Sequence, residues 1–272
     1  MPTSKDFDRF LAGHPVFTVG EAALFLGDAG AHSRQRVNLL LAYHARVGHI
    51  KRVRRGLYVN VPPGFSSNNY SPDPFLLASR MSDDAILAYH TALEFHGRAY
   101  SMRKDITYVT RRAARSSQIG SYRFHPVSFP KPLRVKGRED YGVAKEERAG
   151  LAVRVTTLER AFVDVLDRPN LSGSWEEIWR SLESIEFFDL PKVVEYALLL
   201  DNATTAAKVG YFLEQHRDQL MAKESHLEPL CKMKPRRPHY LERSKRHSGQ
   251  LIQRWNLVVP ESVINRSWAE IL

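Results

Sequence analysis

The segment from Ser33 to Val61, SRQRVNLLLAYHARVGHIKRVRRGLYVNV, constrains the fold more than any other stretch. Ser33 is a favourable N-cap, since its hydroxyl can accept from backbone N–H groups that a first helical turn leaves unpaired. Val37, Leu40, Leu41 and His44 follow at helical spacing and give the helix an inward face. Gly48 ends it, because glycine enters the left-handed conformation at low cost. A strand from His49 to Val53, a tight turn at Arg54, Arg55 and Gly56, and a strand from Leu57 to Val61 come next. In the second strand Leu57, Val59 and Val61 alternate with Tyr58 and Asn60, the pattern of a half-buried strand.

A helical wheel places Gln35, Asn38, Leu39, Ala42 and Arg46 opposite the apolar face, with Arg34 and Arg36 flanking them at the N-terminal end. Hydrogen-bonding side chains near the start, a slim middle and a cation further along suit a helix lying in the major groove of DNA. Lys51, Arg52, Arg54 and Arg55 gather four cations on a narrow hairpin. Such a wing can follow the phosphates or enter the minor groove, where the potential is most negative. The expected DNA-contacting set is Ser33, Arg34, Gln35, Arg36, Asn38, Leu39, Arg46, Lys51, Arg52, Arg54 and Arg55. The plainer alternative is a helix and hairpin with a solvated basic surface.

Upstream, Ser4 can cap a short helix with an apolar stripe of Phe7, Phe10 and Leu11, closed by Gly13 and Pro15. Thr18 with Glu21 forms a capping box for a second helix through Ala22, Ala23, Phe25 and Leu26, ended by Gly27. The polar connection Asp28 to His32 then leads into the third. The prediction is an α+β chain: an N-terminal winged helix-turn-helix over residues 1–62, a linker over 63–73, and a larger mixed α/β C-terminal domain over 74–272. The linker reading rests on four prolines and a Gly/Ser/Asn cluster between Val61 and Pro74.

The chain's 272 residues are enough for two domains. Its formal net charge of +10 favours an anionic partner, nucleic acid first and an acidic protein or membrane surface second. The single cysteine, Cys231, fits a reducing compartment. The first residues carry acids among their apolar positions and do not read as a signal peptide, and no run is long and apolar enough to span a membrane. A cytoplasmic location is expected.

Downstream, Pro74 opens one helix, and Ser82, Asp83 and Asp84 open another running through Ile86, Tyr89, His90 and Leu93 to Gly97. Asp105–Thr110 and Gly120–His125 read as strands joined by RRAARSSQI. Between Arg98 and Arg138 there are eleven Lys and Arg against one acid, Asp105. Arg103, Lys104, Arg111, Arg112 and Arg115 are therefore a candidate second basic surface, with a solvated face as the alternative. Gly150–Val155 reads as a strand. It leads into a capping box of Thr156 with Glu159 and a helix through Leu158, Ala161, Phe162, Val165 and Leu166, broken at Asp167-Arg168-Pro169. Ser174 with Glu177 caps a helix carrying Trp175, Ile178, Trp179, Leu182 and Ile185. Pro191 opens the next, and Asn202 caps a fourth. The tail from Leu227 reads as extended or loop-like, with strand character returning at Arg254–Pro260.

Catalytic patterns are scarce. His90 and His96 are six apart and face different ways on a helix, so they read as core or capping residues, as does His44 on its apolar face. Cys231 has no placed histidine to activate it. No phosphate-binding glycine pattern occurs. Gly173-Ser174 has the form of a nucleotidyltransferase opening, but no paired acid follows to hold magnesium, so a helix cap explains it better. A binding protein without cofactor or metal is favoured over an enzyme.

The chain resembles the AbiEi-type antitoxins, the antitoxins and autoregulators of bacterial type IV toxin–antitoxin systems. The resemblance is carried by Phe17-Thr18, Arg55-Gly56-Leu57-Tyr58-Val59, His90-Thr91-Ala92-Leu93, Thr157-Leu158-Glu159-Arg160, Asp164, Asp167-Arg168-Pro169, and Trp255 with Leu257 and Pro260. It implies a winged helix-turn-helix that binds inverted repeats in its own promoter and represses the operon. It also implies a C-terminal domain that counteracts a nucleotidyltransferase-like toxin, by direct contact or otherwise. DNA reading would fall on Arg34–Arg46 and Lys51–Arg55. Where the family often has paired glycines after its Asp-Arg-Pro element, this chain has Ser172-Gly173-Ser174, and the basic tail from Lys232 to Arg246 matches no motif. Two other functions stay open: a stand-alone transcription factor with a ligand- or protein-sensing second domain, and a nucleic-acid-processing enzyme.

Overall fold

A computed structural model describes residues 4–27, 31–66, 69–242 and 249–270; the side chains of 4–5, 31–34 and 269–270 fall outside that description. In chain order the first half comprises α1 (Ser4–Gly13), β1 (Val16–Thr18), α2 (Val19–Phe25), α3 (Ala31–Val47), β2 (Ile50–Arg54), β3 (Leu57–Asn60), α4 (Pro74–Ser79), β4 (Ile86–Leu87), α5 (His90–Phe95), β5 (Asp105–Thr110), β6 (Ser117–Ile119) and β7 (Tyr122–Ser128). The second half runs α6 (Lys131–Lys136), β8 (Val143–Arg148), β9 (Leu151–Thr156), α7 (Leu158–Asp167), α8 (Trp175–Glu183), α9 (Leu190–Leu199), α10 (Ala203–Gln215), α11 (Glu224–Met233), β10 (His239–Tyr240), β11 (Gln250–Ile252), β12 (Leu257–Val259) and α12 (Glu261–Ile264). The fold is mixed α+β.

Two compact units emerge, each assembled from three stretches of chain. The first takes residues 1–87, 104–126 and 145–154; the second takes 88–103, 127–144 and 155–272. The composition-based boundary at 63–73 divides the chain once. Its described residues carry no helix or strand and lie within the first unit.

The first unit opens on a small core of Phe7, Phe10, Leu11, Phe17, Ala22, Val37, Leu41 and Ile50. Phe10 meets Phe17 edge-on at 5.0 Å. Each phenylalanine sealed here contributes about 1.5–3 kcal/mol from burial. Thr18 and Glu21 form the expected capping box: Thr18 Oγ1 accepts from Glu21 N at 3.1 Å, and Thr18 N donates to Glu21 at 2.7 Å. The cap of α1 expected at Ser4 lies outside the described side chains. Strands β2 and β3 form the expected hairpin, turned at Gly56 with φ +80° and carrying an irregularity between Arg52 and Arg54. The strand missing from the sequence reading is β1. It pairs antiparallel with β3 through Val16↔Val59 and gives the sheet order β1-β3-β2.

Helix α3 begins at Ala31, so Ser33 lies within its first turn instead of capping it. The connection expected at Asp28 to His32 falls mostly on residues 28–30, outside the described residues. A six-stranded sheet, ordered β6-β7-β5-β4-β9-β8, has all its strands wholly or mostly in this unit. Ser82, Asp83 and Asp84 do not open a helix. Asp84 instead accepts from Thr110 Oγ1 at 2.6 Å and from Arg111 N at 2.7 Å, which draws Ile86–Leu87 into antiparallel pairing with Val109 and Tyr108. The helix expected there survives only as α5. The connection RRAARSSQI contains β6, and α6 and β8 carry no strong period in the sequence.

In the second unit α7 is buried along nearly its whole length. Its cap is Thr157, one residue later than expected, with Glu159 accepting from Asp189 N at 3.3 Å instead of closing a capping box. Ser174 accepts from Glu177 N at 3.1 Å, but the Glu177 carboxylate binds His90 and Ser101 instead of closing the expected capping box, while Asn202 accepts from Thr204 N at 3.1 Å as the sequence indicated. The tail from Leu227 is not extended at its start: α11 contains it, with Pro229 inside the helix and Leu227 and Leu230 buried. Trp255 is sealed against α10, its Nε1 donating to Glu214 at 2.6 Å. A Cβ added to Gly210 would lie 2.1 Å from its ring, so only glycine fits there.

Candidate nucleic-acid interface

Packing of α3 on the first-unit core buries Val37, Leu41 and His44 and leaves the opposite face outside. Gln35, Arg36, Asn38, Leu39, Ala42 and Arg46 are all exposed, as the wheel required, and so is Tyr43. Leu39, at 65%, is among the most exposed large apolar residues. Arg46 rests over the Tyr43 ring at 5.8 Å. Ser33 and Arg34 lie on the helix, with side chains outside the described set. The inner face is held by His44, whose Nδ1 is 3.2 Å from His49 Nδ1 and whose ring packs on Phe7 at 4.6 Å. Burial holds His44 below the usual histidine range; His49 adds to this and Asp8 opposes it.

On the hairpin Arg52, Arg54 and Arg55 are exposed and Lys51 is half-buried. Arg52 Nε approaches Arg54 O at 3.4 Å. The Arg54 guanidinium donates to the Met81 carbonyl within the same unit. Sequence pattern alone could not show this, because Met81 lies 27 residues away.

The second basic set is less uniform than its composition. Arg103 belongs to the second unit and Lys104, Arg111, Arg112 and Arg115 to the first. The last four are exposed. Arg112 pairs with Asp83 at 2.7 Å, both side chains solvated, so the pair stabilises little. Beside them Ser116 Oγ lies 3.0 Å from His125 Nδ1, and His125 Nε2 3.0 Å from Asp105 Oδ1. This chain of hydrogen bonds ties the segment before β6 to β7 and β5.

The second unit holds a feature that the sequence did not reveal, a cavity of about 900 Å³. Asp167, Ser174, Asn202, Lys208, Tyr240 and Trp268 are among its lining residues. They span a hundred positions of chain, which is why no local motif marks it. Asp167-Arg168-Pro169 and the Asn202 cap were visible individually. Elsewhere in this unit His90 is buried between Glu94 at 3.0 Å and Glu177 at 2.9 Å, and His96 meets the Thr156 carbonyl at 2.8 Å, both structural roles. Among the described residues no group of three His, Cys, Asp or Glu is placed to hold a metal ion, and no helix is long and apolar enough to cross a membrane.

No family model and no curated protein matches the chain. Among solved structures it is similar to the RV2827C protein from Mycobacterium tuberculosis, with a TM-score of 0.62 at 16% identity over 98% of this chain and 94% of that one. That likeness extends the α+β architecture to a second chain along nearly its full length.

Proposed function

We propose that this chain is a cytoplasmic DNA-binding autorepressor and antitoxin of the AbiEi type. Residues 1–62 act as a winged helix-turn-helix, with α3 reading base edges and the β2–β3 hairpin contacting the backbone. The observation that supports the reading best is the outer face of α3: Gln35 and Asn38 are exposed on a helix whose other side is fixed by the core, directly before a cationic hairpin. Amide side chains of this kind recognise adenine in the major groove. The remainder of the chain counteracts a nucleotidyltransferase-like toxin, a role resting on the sequence resemblance alone.

Fluorescence anisotropy with DNA from upstream of the chain's own gene tests the first half. Gln35→Ala or Asn38→Ala should cost about 1–3 kcal/mol on the preferred sequence and relax specificity, while Lys51→Ala should weaken all duplexes alike and lower the salt slope by about one. Unchanged binding in all three variants rejects the assignment. Co-expression with an adjacent nucleotidyltransferase-like gene tests the second half, rescue of growth being expected.

A second reading, a transcription factor with a ligand-sensing second domain, is favoured by the cavity in the second unit. It would have no toxin gene beside it.

A further inference from the structure

We propose that the cavity of the second unit binds a neutral small molecule carrying a ring and a vicinal diol, the chemistry shared by nucleosides and simple sugars. The inference is independent of the DNA-binding reading.

At about 900 Å³ the space suits a ligand of that size. Apolar voids stay dry and empty, whereas this one is walled by hydroxyls and amides with aromatic rings among them, so it has groups to orient a polar guest. Asp167 is the central acceptor. Thr205 Oγ1 donates to its Oδ1 at 2.5 Å and Asn202 Nδ2 to the same oxygen at 3.0 Å, which fixes the carboxylate plane. Its Oδ2 has Arg168 Nε at 3.7 Å, beyond hydrogen-bond range. One oxygen is thereby anchored, and the other keeps acceptor capacity for ligand hydroxyls. A carboxylate performs the same task on ribose hydroxyls in dinucleotide-binding folds. Trp268 and Tyr240 offer ring faces against which a sugar or base can lie.

Charge argues for a neutral guest. Glu176 is paired with Arg180 at 3.0 Å. Lys208 donates to the Leu166 carbonyl at 3.0 Å and stands over Trp175 at 5.3 Å. The fixed charges at the wall therefore have partners within the protein. A phosphate would meet a Lys208 already held by the Leu166 carbonyl and would lie beside the Asp167 carboxylate.

The test uses the full chain, with adenosine, uridine and maltose as probes, followed by calorimetry and by tryptophan fluorescence. Saturable binding of the nucleosides or of maltose with a Kd of about 1 mM or tighter is expected, and which arm responds identifies the source. Binding should weaken about tenfold or more for an analogue lacking the diol, and equally in Asp167→Asn. Because Asp167→Asn also touches the Asn202 cap, Trp268→Ala provides a second variant. It keeps the backbone carbonyl that Arg180 uses and should weaken binding several-fold. The proposal is overturned if no probe binds. It is also overturned if binding is indifferent to the diol and to both variants, or if a nucleoside monophosphate binds more tightly than its nucleoside.

Discussion

Among described residues up to Val61, His44 is the one buried polar side chain, and the arginines stand at the surface. In the second unit His90, Arg160, Asp164 and Lys208 are all buried. The contrast is one of partners. Arg160 donates to the carbonyls of Glu139 at 2.7 Å and Tyr141 at 2.6 Å, lies 3.5 Å from Asp164, and faces the Tyr196 ring at 5.4 Å, while Tyr196 in turn donates to Asp164 at 2.7 Å. Its charge is consumed internally and serves the core. Arg36, Arg46, Arg52 and Arg55 are exposed on α3 and the hairpin, where an anionic partner can reach them, and Arg54 is shared with the Met81 carbonyl. Net charge alone therefore does not identify an interface; the location of each cation's partner does.

The sharpest way to break this contrast is to strip the buried pair. Arg160→Met leaves Asp164 buried without its cation and should cost about 3–5 kcal/mol, read by denaturant unfolding. Adding Asp164→Leu should recover most of the loss. If the single substitution is neutral, the second unit does not depend on that pairing. Next, Gly210→Ala must displace the Trp255 ring and should cost about 1–3 kcal/mol in the same assay. A substitution on the outer face of α3, such as Ala42→Ser, should leave stability within about 0.5 kcal/mol. Two neighbouring cations should also differ. Arg55→Ala should weaken DNA binding without altering stability, whereas Arg54→Ala should also lose about 1 kcal/mol of stability through the Met81 carbonyl.

Acid separates the regions by sign. His44 takes up its proton less readily in the fold than in the unfolded chain, so the cluster around it loses stability as pH falls below 6.5. Asp164 behaves oppositely. Burial pushes it from 3.8 up to about 6, against the pull of Arg160 and the Tyr196 hydroxyl. Its contribution is fullest below 3.8 and shrinks as pH rises through about 6. Hydrogen exchange across this range should show the α3 amides weakening on acidification, and His44→Phe should remove that trend. Asp164→Asn should remove the opposite trend around α7.

Local chemistry made the first helices legible. Thr18 with Glu21, the Phe7/Phe10/Leu11 stripe and the Gly56 turn each specify their geometry within a few residues. The outer face of α3 followed from the same periodicity, and Gln35 and Asn38 stand where it put them. Apart from the helix starts misplaced at Ser33 and Thr156, the failures share a cause, since each was decided by residues distant in the chain. Ile86 and Leu87 become a strand because Asp84 is held by Thr110 and Arg111. Strand β1 is three residues that form only because β3 is there to pair with them. Pro229 sits inside α11 because Leu227 and Leu230 are anchored in the core. The cavity, assembled from Asp167 to Trp268, had no local signature at all.

The seal of Trp255 on Gly210 also bears on how the protein is made. The Gly210 face of α10, whose other neighbours are α7, α9 and α11, has no cover until translation has passed Trp255, so a nascent chain carries an open apolar cleft there until that residue has emerged. A chaperone or the ribosome surface has reason to shield that cleft, and a chain stalled before Trp255 should be a preferred target of proteases.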